Sequence, residues 1–138
     1  FNLELARMYG YLYQNTDKNF TVLHALDGYD EISLTGNTKT ISNNTESMLK
    51  PSDFGVKTVA MEQIAGGDSI EASAQIFLTI LQGRGTEAQN NVVCANAGIA
   101  IATVENLSPI QGFEKAKESL LNGNGLAALK KLQALSAL

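Results

Sequence analysis

The sequence predicts an α/β protein whose sheet is incomplete, on three observations. Short apolar or alternating stretches with strand character occupy residues 19–50, four segments of helical periodicity follow the strands, and no internal repeat or low-complexity linker separates the two kinds of segment. A few strands followed by a run of helices pack as layers. A sheet of only two or three strands leaves an unpaired edge and an apolar face that other residues must cover.

Taken in order, FNLELARMYGYLYQ places Leu5, Met8, Tyr9 and Leu12 at helical spacing, which predicts an amphipathic helix ending near Asn15. NFTVLHAL is too short and too continuously apolar for a surface helix; it suits a strand buried on both faces, closed by a turn at Asp27 and Gly28. EISLTG alternates around Ile32 and Leu34, and KTISN resumes beyond Gly36 and Asn37, so a hairpin is expected there. SMLK adds an extended stretch before Pro51, and Ser52, Asp53 and Gly55 are turn formers.

From Gly66 the pattern is helical. Asp68 with Glu71 offers a reciprocal cap for a helix whose face is Ile70, Ala74, Phe77, Leu78 and Leu81, stopped by Gly83. Thr86 can cap AQNNVVCANAGIAIATV, whose many Ala and Gly residues let a backbone approach its neighbour closely, as suits the central core helix. Ser108 and Pro109 open a helix buried through Ile110, Phe113, Ala116, Leu120 and Leu121 and ended by Asn122 and Gly123; a last helix runs from Leu126 to Leu135.

Composition excludes several classes of function. No segment reaches the roughly 20 apolar residues of a membrane span. With a net charge of -4 and ten scattered basic residues, the chain lacks the clustered Lys and Arg that grip nucleic acid. Cys94, the single cysteine, has no partner for an internal disulfide and sits in an apolar run, which fits a small buried residue and a reducing, cytoplasmic setting. The chain opens at Phe1 with no methionine and no secretory signal, so it is expected to be a fragment, folding as a single partial domain over residues 1–138.

Among residues that could carry chemistry, Asp30 and Glu31 are adjacent carboxylates at the junction between a buried strand and a following strand, a place where ligand sites often form. Neighbours in an extended chain point to opposite faces, so the pair is no symmetric clamp; each could join a Mg²⁺ shell that keeps several waters and bridges to phosphates. By themselves, two acids at a strand start are more often a solvated turn. Asp27 is expected to shape its turn, and His24, with no second His or Cys at ligand spacing, to be a satisfied core histidine. Gly66, Gly67 and Asp68 resemble an anion-binding helix entrance, but Asp68 would repel the anion, which favours a tight turn and a cap. There is no GxGxxG, no GxxxxGK[ST], no nucleophile elbow and no Cys/His cluster.

The stretch LHALDGYDEISLTGNTKT resembles the VHGxDGxDEISLTGPT signature of anthranilate phosphoribosyltransferases. The likeness runs on through PSDFGV, AGGDSIEASAQIFLTILQGRGTEAQNNVVCANAGIAIA and GLAALKKLQAL, essentially the whole chain. It implies the C-terminal part of an α/β domain of the nucleoside phosphorylase/phosphoribosyltransferase type, with the N-terminal half absent. It further implies transfer of the 5-phosphoribosyl group from phosphoribosyl pyrophosphate to anthranilate, with release of pyrophosphate, in tryptophan biosynthesis. In that family the adjacent acids bind Mg²⁺ associated with the pyrophosphate, which assigns the metal to Asp30 and Glu31. The family's GTGGD loop, KHGN stretch and anthranilate-contacting arginine lie upstream of the matched region, so no residue here takes those roles and the fragment alone is expected to be inactive. Family members dimerise through the N-terminal helical domain. Two departures stand out: Ala25 where glycine is usual, and Asn37 where proline is common. The other reading the residues allow is a non-catalytic Mg²⁺ or phosphate-binding module derived from this fold; the full DGYDEISLTG match disfavours a nucleoside phosphorylase relative.

Overall fold

The structure is a computed structural model that describes residues 2–43 and 45–136; Phe1, where the expected first helix begins, lies outside them. Its elements run α1 (Leu3–Tyr13), β1 (Thr21–Ala25), β2 (Thr38–Ser42), β3 (Glu46–Leu49), 3-10 turns at Pro51–Phe54 and Met61–Gln63, then α2 (Ile70–Leu81), α3 (Glu87–Glu105), α4 (Pro109–Leu121) and α5 (Asn124–Ser136). The α/β class and the order of strands before helices are as expected.

The sheet is antiparallel, in the order β1-β2-β3, with Leu23 opposite Thr40 and Thr40 opposite Ser47. Two expectations fail here. In place of a strand buried on both faces, β1 has only Ala25 buried and the rest half-buried, because it is an edge strand among the described residues. EISLTG is not a strand, and the tight hairpin lies between β2 and β3 instead. Extended pairing over 31–36 is interrupted by Leu34, whose φ of 60° is left-handed.

Helix α1 packs on the sheet through small residues. Ala6 and Gly10 are its buried positions, and a Cβ on Gly10 would lie 2.7 Å from Cγ2 of Ile41. The expected apolar stripe is therefore not the packed face: Leu5, Met8, Tyr9 and Leu12 are exposed. The helix ends at Tyr13, two residues before Asn15.

Helix α2 is capped by Ser69, whose Oγ accepts the Ala72 N–H at 3.1 Å, and not by Asp68 with Glu71. A Cβ on Gly67 would sit 2.5 Å from the Ser73 nitrogen, so the entry is a tight turn, and the chain begins helical geometry one residue beyond the cap expected. Of its predicted face, Leu78 and Leu81 are half-buried while Ile70 and Phe77 are exposed. Gly83 ends it as expected: with φ at 70°, its N–H reaches the Ile80 carbonyl and the Arg84 N–H reaches that of Thr79.

The centre of the molecule is the α3–α4 seam. Thr86 and Gln89 form the reciprocal cap of α3, and Ser108, Pro109 and Gln111 that of α4. Gly98 and Gly112 let the two backbones touch, and Cys94, Ala95, Ile99, Phe113, Ala116 and Leu120 fill the core on either side. The Phe54 and Phe113 rings meet at 6.1 Å and a 50° tilt, tying the first 3-10 turn to α4. Ile110 and Leu121, expected in the buried face of α4, are exposed. Among the described residues, no helix is long and apolar enough to cross a membrane.

Candidate functional site

The residues between β1 and β2 form one ordered loop that carries both acids. Its entry is a turn: the Leu26 N–H donates to the Asn37 carbonyl across the loop mouth, and the Gly28 N–H donates back to Ala25 with Gly28 at φ 97°. Asp27 then shapes the loop from inside. Its Oδ2 accepts the Ser33 hydroxyl at 3.0 Å and the Thr35 hydroxyl, and a Cβ on Gly36 would come within 2.9 Å of the same oxygen. The turn role expected of Asp27 is what the structure shows.

Beyond the acids the chain dives into the core. Ile32 and Leu34 are 2% and 0% exposed and belong to the cluster built on α3 and α4, and the Leu34 carbonyl accepts the Val59 N–H at 3.0 Å. Asn96 on α3 binds the Ile32 residue at both backbone polar atoms, accepting its N–H at 2.9 Å and donating to its carbonyl at 2.8 Å.

Asp30 and Glu31 lie between these anchors, both exposed in a bend. Among the described residues neither carboxylate has a hydrogen-bond or ion-pair partner. Two free, hard oxygen donors on a rigidly footed loop fit Mg²⁺, which takes one or two carboxylates and fills its octahedron with water and phosphate. No three His, Cys, Asp or Glu residues gather among the described residues as an all-protein metal cage.

The other candidates stay structural. His24 is half-buried in β1, across from Lys39. Cys94 is 2% exposed, and burial pushes its thiol pKa up, Lys117 opposing and Glu114 reinforcing, which leaves it unreactive. Sequence reasoning missed Asn96, Ser33 and Thr35. The signal for Asn96 was present: an amide within NVVCANAGIAIA on a helix facing a core needs a polar partner from outside that helix.

The profile of the glycosyl transferase family, a/b domain, matches residues 1–126. The chain belongs to that family. Among relatives of this family member, the anthranilate phosphoribosyltransferase of Flavobacterium psychrophilum is 74% identical over 136 residues, covering 99% of this chain and 41% of that one. That of Christiangramia forsetii is 66% identical over the same shares. The chain thus spans about 41% of the length of the curated relatives it matches. The crystal structure of anthranilate phosphoribosyltransferase from Thermus thermophilus superposes with a TM-score of 0.85 at 22% identity, over 95% of this chain and 40% of that one. The Saccharomyces cerevisiae enzyme in complex with PRPP and Mg gives 0.83 at 23%, over 99% and 40%. These likenesses show the fold, a part of the α/β domain of such proteins, as the signature implied.

Proposed function

We propose that these residues are one partial domain, the C-terminal part of the α/β domain of an anthranilate phosphoribosyltransferase, and that the complete protein moves the 5-phosphoribosyl group from phosphoribosyl pyrophosphate to anthranilate. The observation that carries this is the 74% identity over 136 residues to a chain of that name. In the reaction the ribose carbon gains a bond to the anthranilate nitrogen, loses its bond to pyrophosphate, and the nitrogen gives up a proton. Tryptophan biosynthesis follows as the pathway, in a cytoplasmic enzyme, with the homodimer that the family resemblance implies.

Asp30 and Glu31 are the Mg²⁺ ligands in this reading, supported by their exposure, their free carboxylates and the Mg complex of the yeast neighbour. The ion supplies positive charge beside the departing diphosphate. The protein's own part is to present both carboxylates at fixed positions with no competing cation, a task for the loop anchors at Asp27, Ile32 and Leu34. The 138 residues contain no glycine-rich phosphate loop, so by themselves they bind Mg²⁺ and phosphoribosyl pyrophosphate weakly and do not turn over.

The test is kinetic. In the protein expressed from its complete reading frame, Asp30→Ala with Glu31→Ala lowers turnover and raises the Mg²⁺ needed for half-maximal rate by about tenfold or more. Unchanged kinetics at limiting Mg²⁺ would remove the two acids from the mechanism.

A further inference from the structure

Asn96 lies midway along α3, yet its side chain serves the loop. Oδ1 accepts the Ile32 N–H at 2.9 Å; Nδ2 donates to the Ile32 carbonyl at 2.8 Å and to the Val92 carbonyl, one turn back, at 2.9 Å. The three bonds fix the amide's orientation, since a flipped amide would turn its NH₂ toward an N–H and its oxygen toward two carbonyls. The Ile32 N–H belongs to the peptide bond that Glu31 begins, so Asn96 grips the chain directly after the acid pair.

That grip is the last of a series. Before the pair, Asp27 is held by the hydroxyls of Ser33 and Thr35; after it, the Ile32 and Leu34 side chains are locked in the core. Asp30 and Glu31 are suspended between the two footings and make no bonds of their own among the described residues. A helix facing a core needs no amide for packing, and even a half-buried amide such as Asn96 carries a desolvation penalty unless its bonds are made. The Ile32 N–H and carbonyl both depend on this one side chain.

We propose that Asn96 is a positioning residue for the acid pair: it fixes the peptide following Glu31 so that the two carboxylates are held ready for Mg²⁺. The inference rests on the metal reading given under Proposed function. Thr103, which α3 sends to the sheet, does not share this role, since its hydroxyl meets that of Thr21 at 2.7 Å on β1 and not in the loop.

Two readouts on the complete protein test it. In the metal-free state, the Ile32 amide of the parent is protected from hydrogen exchange, and Asn96→Ala, which removes the acceptor, releases it, whereas Asn96→Asp keeps an oxygen for that N–H and loses only the two donations from Nδ2. By calorimetry with Mg²⁺ in the presence of phosphoribosyl pyrophosphate, Asn96→Asp weakens metal binding by about tenfold or more, whereas Thr103→Val lowers Tm and leaves metal binding as it was. Asp30→Ala is run beside them. If Asp30→Ala weakens Mg²⁺ and a folded Asn96→Asp does not, Asn96 is only a core residue and the inference falls alone. If neither changes metal binding, the metal reading falls and takes the inference with it. Should both Asn96 variants fail to fold, the parent decides: an Ile32 amide exchanging far more slowly than those of Tyr29 and Asp30 supports the clamp, and one exchanging equally fast overturns it.

Discussion

Replacing Gly112 by Ala sets two effects of opposite sign against each other. Within a helix, Gly→Ala contributes about 1 kcal/mol of stability from propensity alone. At this position, however, the new Cβ would lie 2.2 Å from the Gly98 carbonyl oxygen and 3.0 Å from the Ala102 Cβ. An ordinary carbon–oxygen contact is about 3.3 Å, so α3 and α4 must part by about 1 Å. Neither side of the contact is a flexible chain end that could swing away. A gap of that size forfeits about a quarter to a half of the dispersion energy across it, and the seam includes Phe113, Leu120 and Ile99, each contributing about 2 kcal/mol by burial. Seam loss and strain together outweigh propensity, and the net expectation is a loss of about 2 kcal/mol. Urea denaturation followed by circular dichroism measures it, as a midpoint lower by about 1 M at an unchanged slope. Gly98→Ala, whose Cβ would meet the Phe113 backbone at 2.7 Å, opens the same seam, so the double variant loses less than the two single losses together. A neutral or stabilised Gly112→Ala protein would refute the close backbone contact.

Two further outcomes follow from the loop and the core. Leu34 combines 0% exposure with a left-handed φ, so Leu34→Ala creates a cavity worth about 3 kcal/mol; Leu34→Gly relieves about 1 kcal/mol of backbone strain and is no worse, whereas a Gly variant clearly less stable than Ala would mean the backbone there is not left-handed. Cys94 has its pKa raised by burial above the ordinary 9.0, so the native state keeps its proton longer than the unfolded chain does. Well below pH 9.0 both states hold the proton and stability is unaffected; as pH approaches and passes it the unfolded chain ionises first and stability falls. A thiol reagent at a pH of about 8, where an exposed thiol is partly ionised, accordingly labels Cys94 only when urea unfolds the protein, and prompt labelling of the native protein would contradict the burial.

Most helix ends were legible in the sequence because they are local chemistry, although the cap of α2 falls on Ser69, one residue past Asp68. Thr86, Ser108 and Gly83 act where their side chains or backbone freedom place them, whatever lies around them. Helix faces were less so. Leu5, Met8, Tyr9 and Leu12 carry the periodicity of a buried stripe, but the contact α1 makes here is set by the closeness Gly10 permits to Ile41, a property of two elements at once. The site shows the same division. The acid pair and its turn at Asp27 and Gly28 can be read directly, whereas the loop resembles a strand since Ile32 and Leu34 alternate as strand residues do. They are instead two separate anchors, one clamped by an amide 64 residues away and the other turned by a positive φ.

Whether Asp30 and Glu31 hold magnesium against a leaving diphosphate is tested most directly by a crystal structure of the complete protein with phosphoribosyl pyrophosphate and Mg²⁺. The expected result is a metal ion about 2.1 Å from a carboxylate oxygen of at least one of the two acids, with the Ile32 peptide still bound by Asn96. A metal held by the diphosphate, water and other residues alone, with both acids facing solvent, would contradict it.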